Sequence, residues 1–278
     1  MRYTCFIPVS TFPDVTSRAS VALGMAIAAR LNAQFHALIH EVDIAPVGNV
    51  LADLAVNVTA MSQRAEAGSK AAAEEFTVWL NERANTLHQP IAVETIRCRP
   101  EALIDHWIIP ARTNDLTLMA APQNQQEQAL AMELIFANGG PVLLVPDDAA
   151  PGVNDAMNIC IAWDGGRAAA RAVRDAMPLL SAAGTVSIVV IEDDKHIEGN
   201  SAEALRHWLD HRGIETRLLI RSRGTVPIGQ TLQAAALANG ADMLVMGAYG
   251  HSRLRQLILG GATRSMFEHA RLPIFTVH

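Results

Sequence analysis

Asp242-Met243-Leu244-Val245-Met246-Gly247 is the stretch that decides the fold, because a related stretch, Asp115-Leu116-Thr117-Leu118-Met119, stands earlier in the chain. Both continue as nearly unbroken apolar runs, which are typical of strands buried on both faces of a parallel sheet. Residues 273–277 likewise repeat residues 141–145, and residues 208–212 repeat residues 79–83. Three matches in the same order predict two copies of one domain.

A linker separates the two copies. Residues 146–152 contain two prolines, one glycine and two aspartates, a composition typical of a domain boundary. We therefore place the boundary near residue 150, with a first domain over residues 1–148 and a second over residues 153–278.

Short apolar runs alternate with helical patterns through both halves. This alternation predicts an α/β fold of two tandem, doubly wound, parallel five-stranded sheets of the Rossmann type. The predicted strands are 4–9, 35–42, 92–98, 116–121, 142–145, 158–163, 186–191, 215–220, 243–247 and 274–277. The predicted helices are 16–31, 62–87, 100–112, 125–137, 167–180, 201–212, 228–239 and 262–269.

Composition excludes several classes of function. The 278 residues are 50% hydrophobic and carry a formal net charge of −6, which gives no general attraction to nucleic acid or to an anionic membrane. No apolar run approaches the ~18 residues of a membrane span, and no signal peptide precedes the first strand, so we expect a soluble cytoplasmic protein. The scattered Cys5, Cys98 and Cys160 are expected to be buried, inert thiols.

A glycine-rich segment follows the fourth predicted strand of the second half. It reads Gly247-Ala248-Tyr249-Gly250, then nine residues, then Gly260-Gly261-Ala262-Thr263. Glycines allow close approach of the backbone to a ligand, and the start of a helix binds phosphate through its N–H groups. Residues 247–278 also carry four arginines (Arg253, Arg255, Arg264, Arg271) against one acid, Glu268. The segment favours phosphate binding; the alternative is that these glycines only shape a turn and cap a helix.

The spacing of Gly247, Gly250 and Gly260 resembles the ATP-binding signature of the universal stress protein family, G-x-x-G-(nine)-G-[S/T]. The resemblance extends over the chain twice and implies the adenine nucleotide alpha hydrolase-like fold. It also implies a stress-response regulator that binds ATP or a related adenine nucleotide together with Mg²⁺. The residues it places at the nucleotide are Ala162, Trp163, Asp164, Ile191, Met246, Gly247, Gly250, Arg253, Gly260, Gly261, Ala262 and Thr263.

Two of these positions carry specific expectations. Asp164 resembles the family's acidic residue that helps to hold the nucleoside and the metal, and Ile191 matches the position whose backbone contacts adenine. Asp164 also has a plainer interpretation as the cap of the next helix, and Gly165-Gly166 as a tight turn rather than a phosphate cradle. The family's Ser or Thr after the last glycine is Gly261 here, which removes a hydroxyl that would bind phosphate.

The first half lacks this segment. Residues 120–127 contain none of the signature glycines, and the interval from Asp115 to Pro141 is five residues shorter than that from Asp242 to Pro273. Between Ala120 and Gly140 there are two acids, Glu127 and Glu133, and no basic residue, and residues 9–11 hold no acid matching Asp164. We interpret this half as a structural partner, whose long helix over residues 62–87 covers a site or contacts a partner.

The resemblance further implies that the halves pair through their fifth strands as an intramolecular pseudo-dimer; a homodimer of whole chains is left open. His207 and His211 are one helical turn apart, but no third metal ligand accompanies them. No residue can be assigned as a catalytic base, so we expect no enzyme activity beyond slow ATP hydrolysis. A rival hypothesis is a nucleotide-independent scaffold with vestigial sites, and a third is an enzyme of the wider adenine-nucleotide α/β group.

Overall fold

The computed structural model describes residues 3–45, 58–148, 156–192, 200–248, 266 and 270–278. Over these residues the chain alternates strands and helices as the sequence predicts. The strands are β1 (Thr4–Ser10), β2 (Gln34–Val42), β3 (Ile91–Cys98), β4 (Leu116–Ala120), β5 (Val142–Val145), β6 (Asn158–Ala162), β7 (Thr185–Ile191), β8 (Thr216–Arg221), β9 (Met243–Gly247) and β10 (Ile274–Val277).

Eight α-helices lie in the described ranges. They are α1 (Arg18–Ala29), α2 (Val58–Thr86), α3 (Leu103–Arg112), α4 (Gln125–Asn138), α5 (Arg167–Asp175), α6 (Met177–Ser181), α7 (Ser201–Asp210) and α8 (Ile228–Ala238). A single 3₁₀ turn, Pro100–Ala102, precedes α3. The predicted helix over residues 262–269 lies outside the described residues, apart from Met266.

One predicted helix is divided in two. The sequence predicts a continuous helix over residues 167–180, but α5 ends at Asp175 and α6 begins at Met177. Pro178 is the cause, because it has no backbone N–H to donate to the carbonyl one turn earlier. The proline instead occupies the first turn of α6, where a missing N–H is tolerated.

The strands form one sheet in the order β3-β2-β1-β4-β5-β10-β9-β6-β7-β8. Each half contributes a parallel five-stranded unit, as predicted, and all pairs are parallel except β5 with β10. The fifth strands pair antiparallel, with Leu143 opposite Phe275. The two units are therefore halves of a continuous ten-stranded sheet, in the pairing that the family resemblance implies.

Hydrophobic layers cover both faces of this sheet. One layer packs α1, α2, α5 and α7 on one face, and the other packs α3, α4 and α8 on the opposite face. The central strands β4, β5, β9 and β10 are almost entirely buried, whereas the edge strands β3 and β8 are largely exposed. This explains why central strands read as unbroken apolar runs.

The repeated aspartates fix the first strand of each half to the fourth. The Asp115 carboxylate accepts hydrogen bonds from the Thr4 backbone N–H (2.8 Å) and the Thr4 hydroxyl (3.0 Å). The Asp242 carboxylate accepts one from the Asn158 N–H (2.8 Å). These equivalent hydrogen bonds align Thr4 of the first half with Asn158 of the second. Six residues later, Ser10 therefore takes the position that Asp164 has in the second half.

Candidate functional site

The strand order of the second half predicts a ligand crevice between β6 and β9. The chain runs from β6 outward to β7 and β8 and then crosses to β9 on the other side. Ligands of such sheets bind where the winding direction switches, at the carboxyl ends of the strands. Ala162 pairs with Met246 at this end, so the residues that follow them, Asp164 and Gly247, lie on neighbouring strand ends.

Three of the predicted site residues are buried beneath this end. Ala162, Ile191 and Met246 are each at most 8% exposed and belong to the apolar layer shared with α8. Their side chains serve packing, and only their backbone can face a ligand. The expected contact of the Ile191 backbone with the base stays a prediction.

Trp163 links the end of β6 to the start of α7. Its backbone N–H donates to the Val189 carbonyl (2.9 Å), which continues the β6–β7 pairing by one residue. Its indole Nε1 donates to the Ser201 hydroxyl (3.1 Å) at the start of α7. The half-buried ring therefore holds α7 against the end of β6.

Asp164 forms a turn rather than a helix cap. Its Oδ1 accepts a hydrogen bond from the Gly166 N–H (2.8 Å), and Gly165 has φ +73°. The residue that caps α5 is Gly166, which makes no side-chain capping bond. The plainer interpretation of Asp164 as the N-cap residue is therefore wrong, although its carboxylate accepts from the N–H of the residue that holds this position.

The Gly165-Gly166 pair is a tight turn. The positive φ of Gly165 favours glycine, and a Cβ on Gly166 would lie 2.9 Å from Oδ1 of Asp164. These two glycines allow the Asp164 carboxylate to fold back beside the start of α5. A helix start carries a partial positive charge, so the turn brings a carboxylate and an anion-attracting helix end together.

Gly247 has a structural reason to be glycine. A Cβ at this position would lie 2.4 Å from the Ala169 nitrogen and 2.5 Å from the Ala168 carbonyl carbon. Both are backbone atoms of the first turn of α5. Gly247, the first glycine of the family signature, thus allows α5 to pack directly against the end of β9. The spacing of the glycines alone did not reveal this packing role.

The remaining predicted site residues, Gly250, Arg253, Gly260, Gly261, Ala262 and Thr263, lie outside the described residues. Across the residues that the structure does describe, no three His, Cys, Asp or Glu side chains come together as a metal site. His211 Nδ1 lies 2.7 Å from the His207 carbonyl, a local contact within the end of α7. Asp164 is thus a single carboxylate, which suits Mg²⁺ only together with phosphate oxygens.

The corresponding end of the first half is closed by the long helix α2. Ser69 on this helix accepts a hydrogen bond from the Val42 N–H (2.8 Å) and contacts the Thr11 hydroxyl (2.6 Å). Thr11 in turn donates to the His40 carbonyl (2.5 Å). Thr11 and Ser69 are buried, so α2 covers the ends of β1 and β2.

Acidic side chains of the chain itself stand at two helix starts of the first half. Ser17 caps α1, and the Ser20 hydroxyl in its first turn donates to Asp147 Oδ1 (2.5 Å). Asn124 caps α4, where Glu127 accepts from the Gln123 N–H (2.8 Å). Carboxylates are favourable at helix starts. Asp147 and Glu127 therefore take the places at these helix starts that a phosphate group would need. In the second half the N-cap residue of α5 is Gly166, and the Asp164 carboxylate accepts from its N–H.

His40 is a buried, neutral histidine at the end of the first half that α2 covers. Its Nε2 lies 2.9 Å from the Cys98 carbonyl, and its Nδ1 has no hydrogen-bond partner among the described residues. Burial lowers the pKa of His40 below 6.5, and the nearby His106 lowers it further, while the Cys98 carbonyl and Glu41 act in the opposite direction. Burial likewise raises the pKa of the three thiols, Cys5, Cys98 and Cys160, as expected for inert cysteines.

Comparison with known proteins identifies the second half. The universal stress protein family profile matches residues 156–278. The second half of the chain is a universal stress protein domain. A stretch of 38 residues is 42% identical to universal stress protein Slr1230 of Synechocystis sp., and this match covers 14% of the chain and only 13% of that relative.

The fold of the whole chain resembles that of solved structures. A universal stress protein from Archaeoglobus fulgidus DSM 4304 matches over 98% of this chain and 95% of its own, with a TM-score of 0.71 and 15% identity. A protein of unknown function from Pseudomonas aeruginosa PAO1 matches over 98% and 92%, with a TM-score of 0.58 and 15% identity. These matches confirm the fold across both halves of the chain.

Within the described ranges, none of the helices has the length and apolarity that a membrane crossing requires.

Gly247 provides a prediction about packing. Gly247→Ala should lower the free energy of unfolding by about 1–3 kcal/mol, because its Cβ would overlap the backbone of α5. The matched control is Gly68→Ala in the exposed face of α2, where a Cβ meets nothing within 4 Å. That change should stabilise by roughly 0.5–1 kcal/mol, since alanine favours a helix. Urea unfolding measures both, and equal effects of the two changes would contradict the packing role.

His40 provides a prediction about pH. The unfolded chain protonates this histidine near 6.5, whereas the folded chain does so only at lower pH. The unfolded state therefore binds more protons between these values, and stability falls as the pH is lowered through 6.5 toward the folded pKa. The contribution of His40 to the slope is at most about 1.4 kcal/mol per pH unit.

Urea unfolding between pH 7.5 and 5 of the wild type, His40→Leu and the exposed control His207→Ala separates this contribution. His40→Leu should flatten the slope, and His207→Ala should leave it unchanged. A slope that is the same in the wild type and in His40→Leu would show that His40 is not the group responsible.

Proposed function

We propose that the second half binds one ATP or related adenine nucleotide with Mg²⁺, and that the chain acts as a stress-response regulator. The first half would serve as the structural partner of a pseudo-dimer. The observation that carries this proposal is the difference between the two carboxyl ends. In the second half, Asp164 and the start of α5, whose N-cap residue is a glycine, stand at the carboxyl ends of β6 and β9, whereas α2 and the carboxylates of Asp147 and Glu127 lie at this end of the first half.

The chemistry of a nucleotide fits this end. Phosphate is attracted to a helix start and to a basic segment, and residues 247–278 carry a charge of +3 from four arginines and one acid. Mg²⁺, when bound, would neutralise phosphate charge, and Asp164 would supply its protein carboxylate. The segment that carries Gly250, Gly260 and Thr263 would supply the remaining phosphate contacts. Gly261, in place of Ser or Thr, offers only its backbone.

Calorimetric titration with ATP and AMP, with and without Mg²⁺, tests this function. We expect one nucleotide per chain and a higher affinity with Mg²⁺. In Asp164→Asn the fold should persist but the gain in affinity from Mg²⁺ should shrink, because a carboxylate is the preferred ligand. The matched control is Asp210→Asn, which removes an exposed acid at the end of α7 and should retain the full gain.

The outcomes separate the hypotheses. Two equivalent sites per chain would contradict the assignment of the first half as a structural partner. Equal Mg²⁺ dependence in the wild type and Asp164→Asn would remove this residue from the metal site. Absence of any nucleotide binding would favour the nucleotide-independent scaffold.

A further inference from the structure

Arg171 joins the candidate site to the first half of the chain. It lies in α5, one helical turn after Arg167. Its guanidinium donates to the Gly139 carbonyl, which ends α4 of the first half, and to the His278 carbonyl (3.3 Å), which follows β10. A single side chain thus holds two segments that come from different halves.

The position of this guanidinium is electrostatically favourable. Gly139 is the left-handed residue that ends α4, with φ +78°, and its carbonyl stands at the negative end of that helix. Asp175 lies 3.5 Å from Nε of Arg171 and keeps the side chain along α5. An isolated ion pair of this exposure would contribute little, but the two carbonyls fix the direction of the planar group.

A second contact runs beside the first. The ring of His278 meets Phe136 of α4 at 4.7 Å between centroids, with the planes inclined by 73°. The Nδ1 atom of His278 lies 3.4 Å from the carbonyl of Ala248, the residue directly after Gly247. The backbone N–H of Ala248 also donates to the Val277 carbonyl (2.7 Å). The end of β9 therefore contacts α4 through His278.

The start of α5 belongs to the candidate site. Its first turn follows the Asp164 turn and contacts Gly247 so closely that no Cβ fits between them. Arg171 stands one turn farther along the same helix. Because an α-helix is stiff over two turns, a displacement of its start at the site moves Arg171 relative to Gly139.

We propose that the first half positions the ligand end of the second, with Arg171 as the positioning residue that links nucleotide occupancy to the end of α4. This inference rests on the proposed function. Coupling between two sites is reciprocal, so the contact that favours the bound position of α5 is itself strengthened by the nucleotide. The first half is then a regulator of affinity, not only a partner that covers an edge of the sheet.

The test compares Arg171→Ala with Arg174→Ala. Arg174 is an exposed arginine in the last turn of the same helix, so its removal changes the charge equally and leaves the Arg171 guanidinium in place. Calorimetry with ATP and Mg²⁺ should show at least about fivefold weaker binding for Arg171→Ala and less than about twofold change for Arg174→Ala. Arg171→Lys keeps the charge and should recover part of the affinity.

Hydrogen exchange supplies a readout that a merely structural role would not move. Saturating ATP and Mg²⁺ should slow amide exchange over residues 137–140 in the wild type and in Arg174→Ala. The slowing should disappear in folded Arg171→Ala, as judged by circular dichroism, even when the nucleotide concentration is raised to saturate it.

Two results would overturn the proposal in different ways. Nucleotide binding with the same affinity and the same protection in the wild type and Arg171→Ala would contradict the coupling alone. A wild type that binds no nucleotide would contradict the proposed function together with the coupling.

Discussion

The antiparallel pairing of β5 with β10 is the constraint on which the rest of the structure depends. Leu143 faces Phe275 across this pair, and both strands are wholly buried between the two apolar layers. Antiparallel pairing turns the parallel units in opposite directions, so the carboxyl ends of the first-half strands and those of the second-half strands point to opposite ends of the sheet along the strand direction. It also brings the end of α4 beside the end of β10, where Arg171 and Phe136 make their contacts.

The two halves share the hydrogen bonds that join their strands but differ at the carboxyl ends of those strands. Asp115 and Asp242 make equivalent bonds to the first strands, and the fourth strands continue in equivalent bonds to the fifth, from Ala121 N–H to Val145 and from Ala248 N–H to Val277. The difference lies beyond the strands. In the first half α2 covers the ends of β1 and β2, and Asp147 and Glu127 stand at the starts of α1 and α4. In the described part of the second half, the start of α5 follows a turn made by Asp164 and two glycines.

The sequence predicted the elements of this fold closely because the apolar runs of central strands and the repeat are local signals. The limits of β5, β9 and β10 agree with the predicted ones, and the fifth-strand pairing followed from the family resemblance. Contacts between distant segments were not predictable in this way. The closure of Thr11 by Ser69, the overlap that requires Gly247 and the contact of Arg171 with Gly139 each depend on how helices lie on the sheet, which no spacing of residues specifies. The helix break at Pro178 could have been predicted, since proline interrupts a helix. The apolar pattern continues past Pro178, however, and favoured one unbroken helix.

The central claim is that only the second half offers a ligand end that a nucleotide can occupy. Photoaffinity labelling with 8-azido-ATP and Mg²⁺, followed by mass spectrometry of the peptides, tests it most directly. The account predicts that ATP-competable label falls within residues 156–278 and is absent from residues 3–148. Competable label on β1, β2 or α2 of the first half would contradict it.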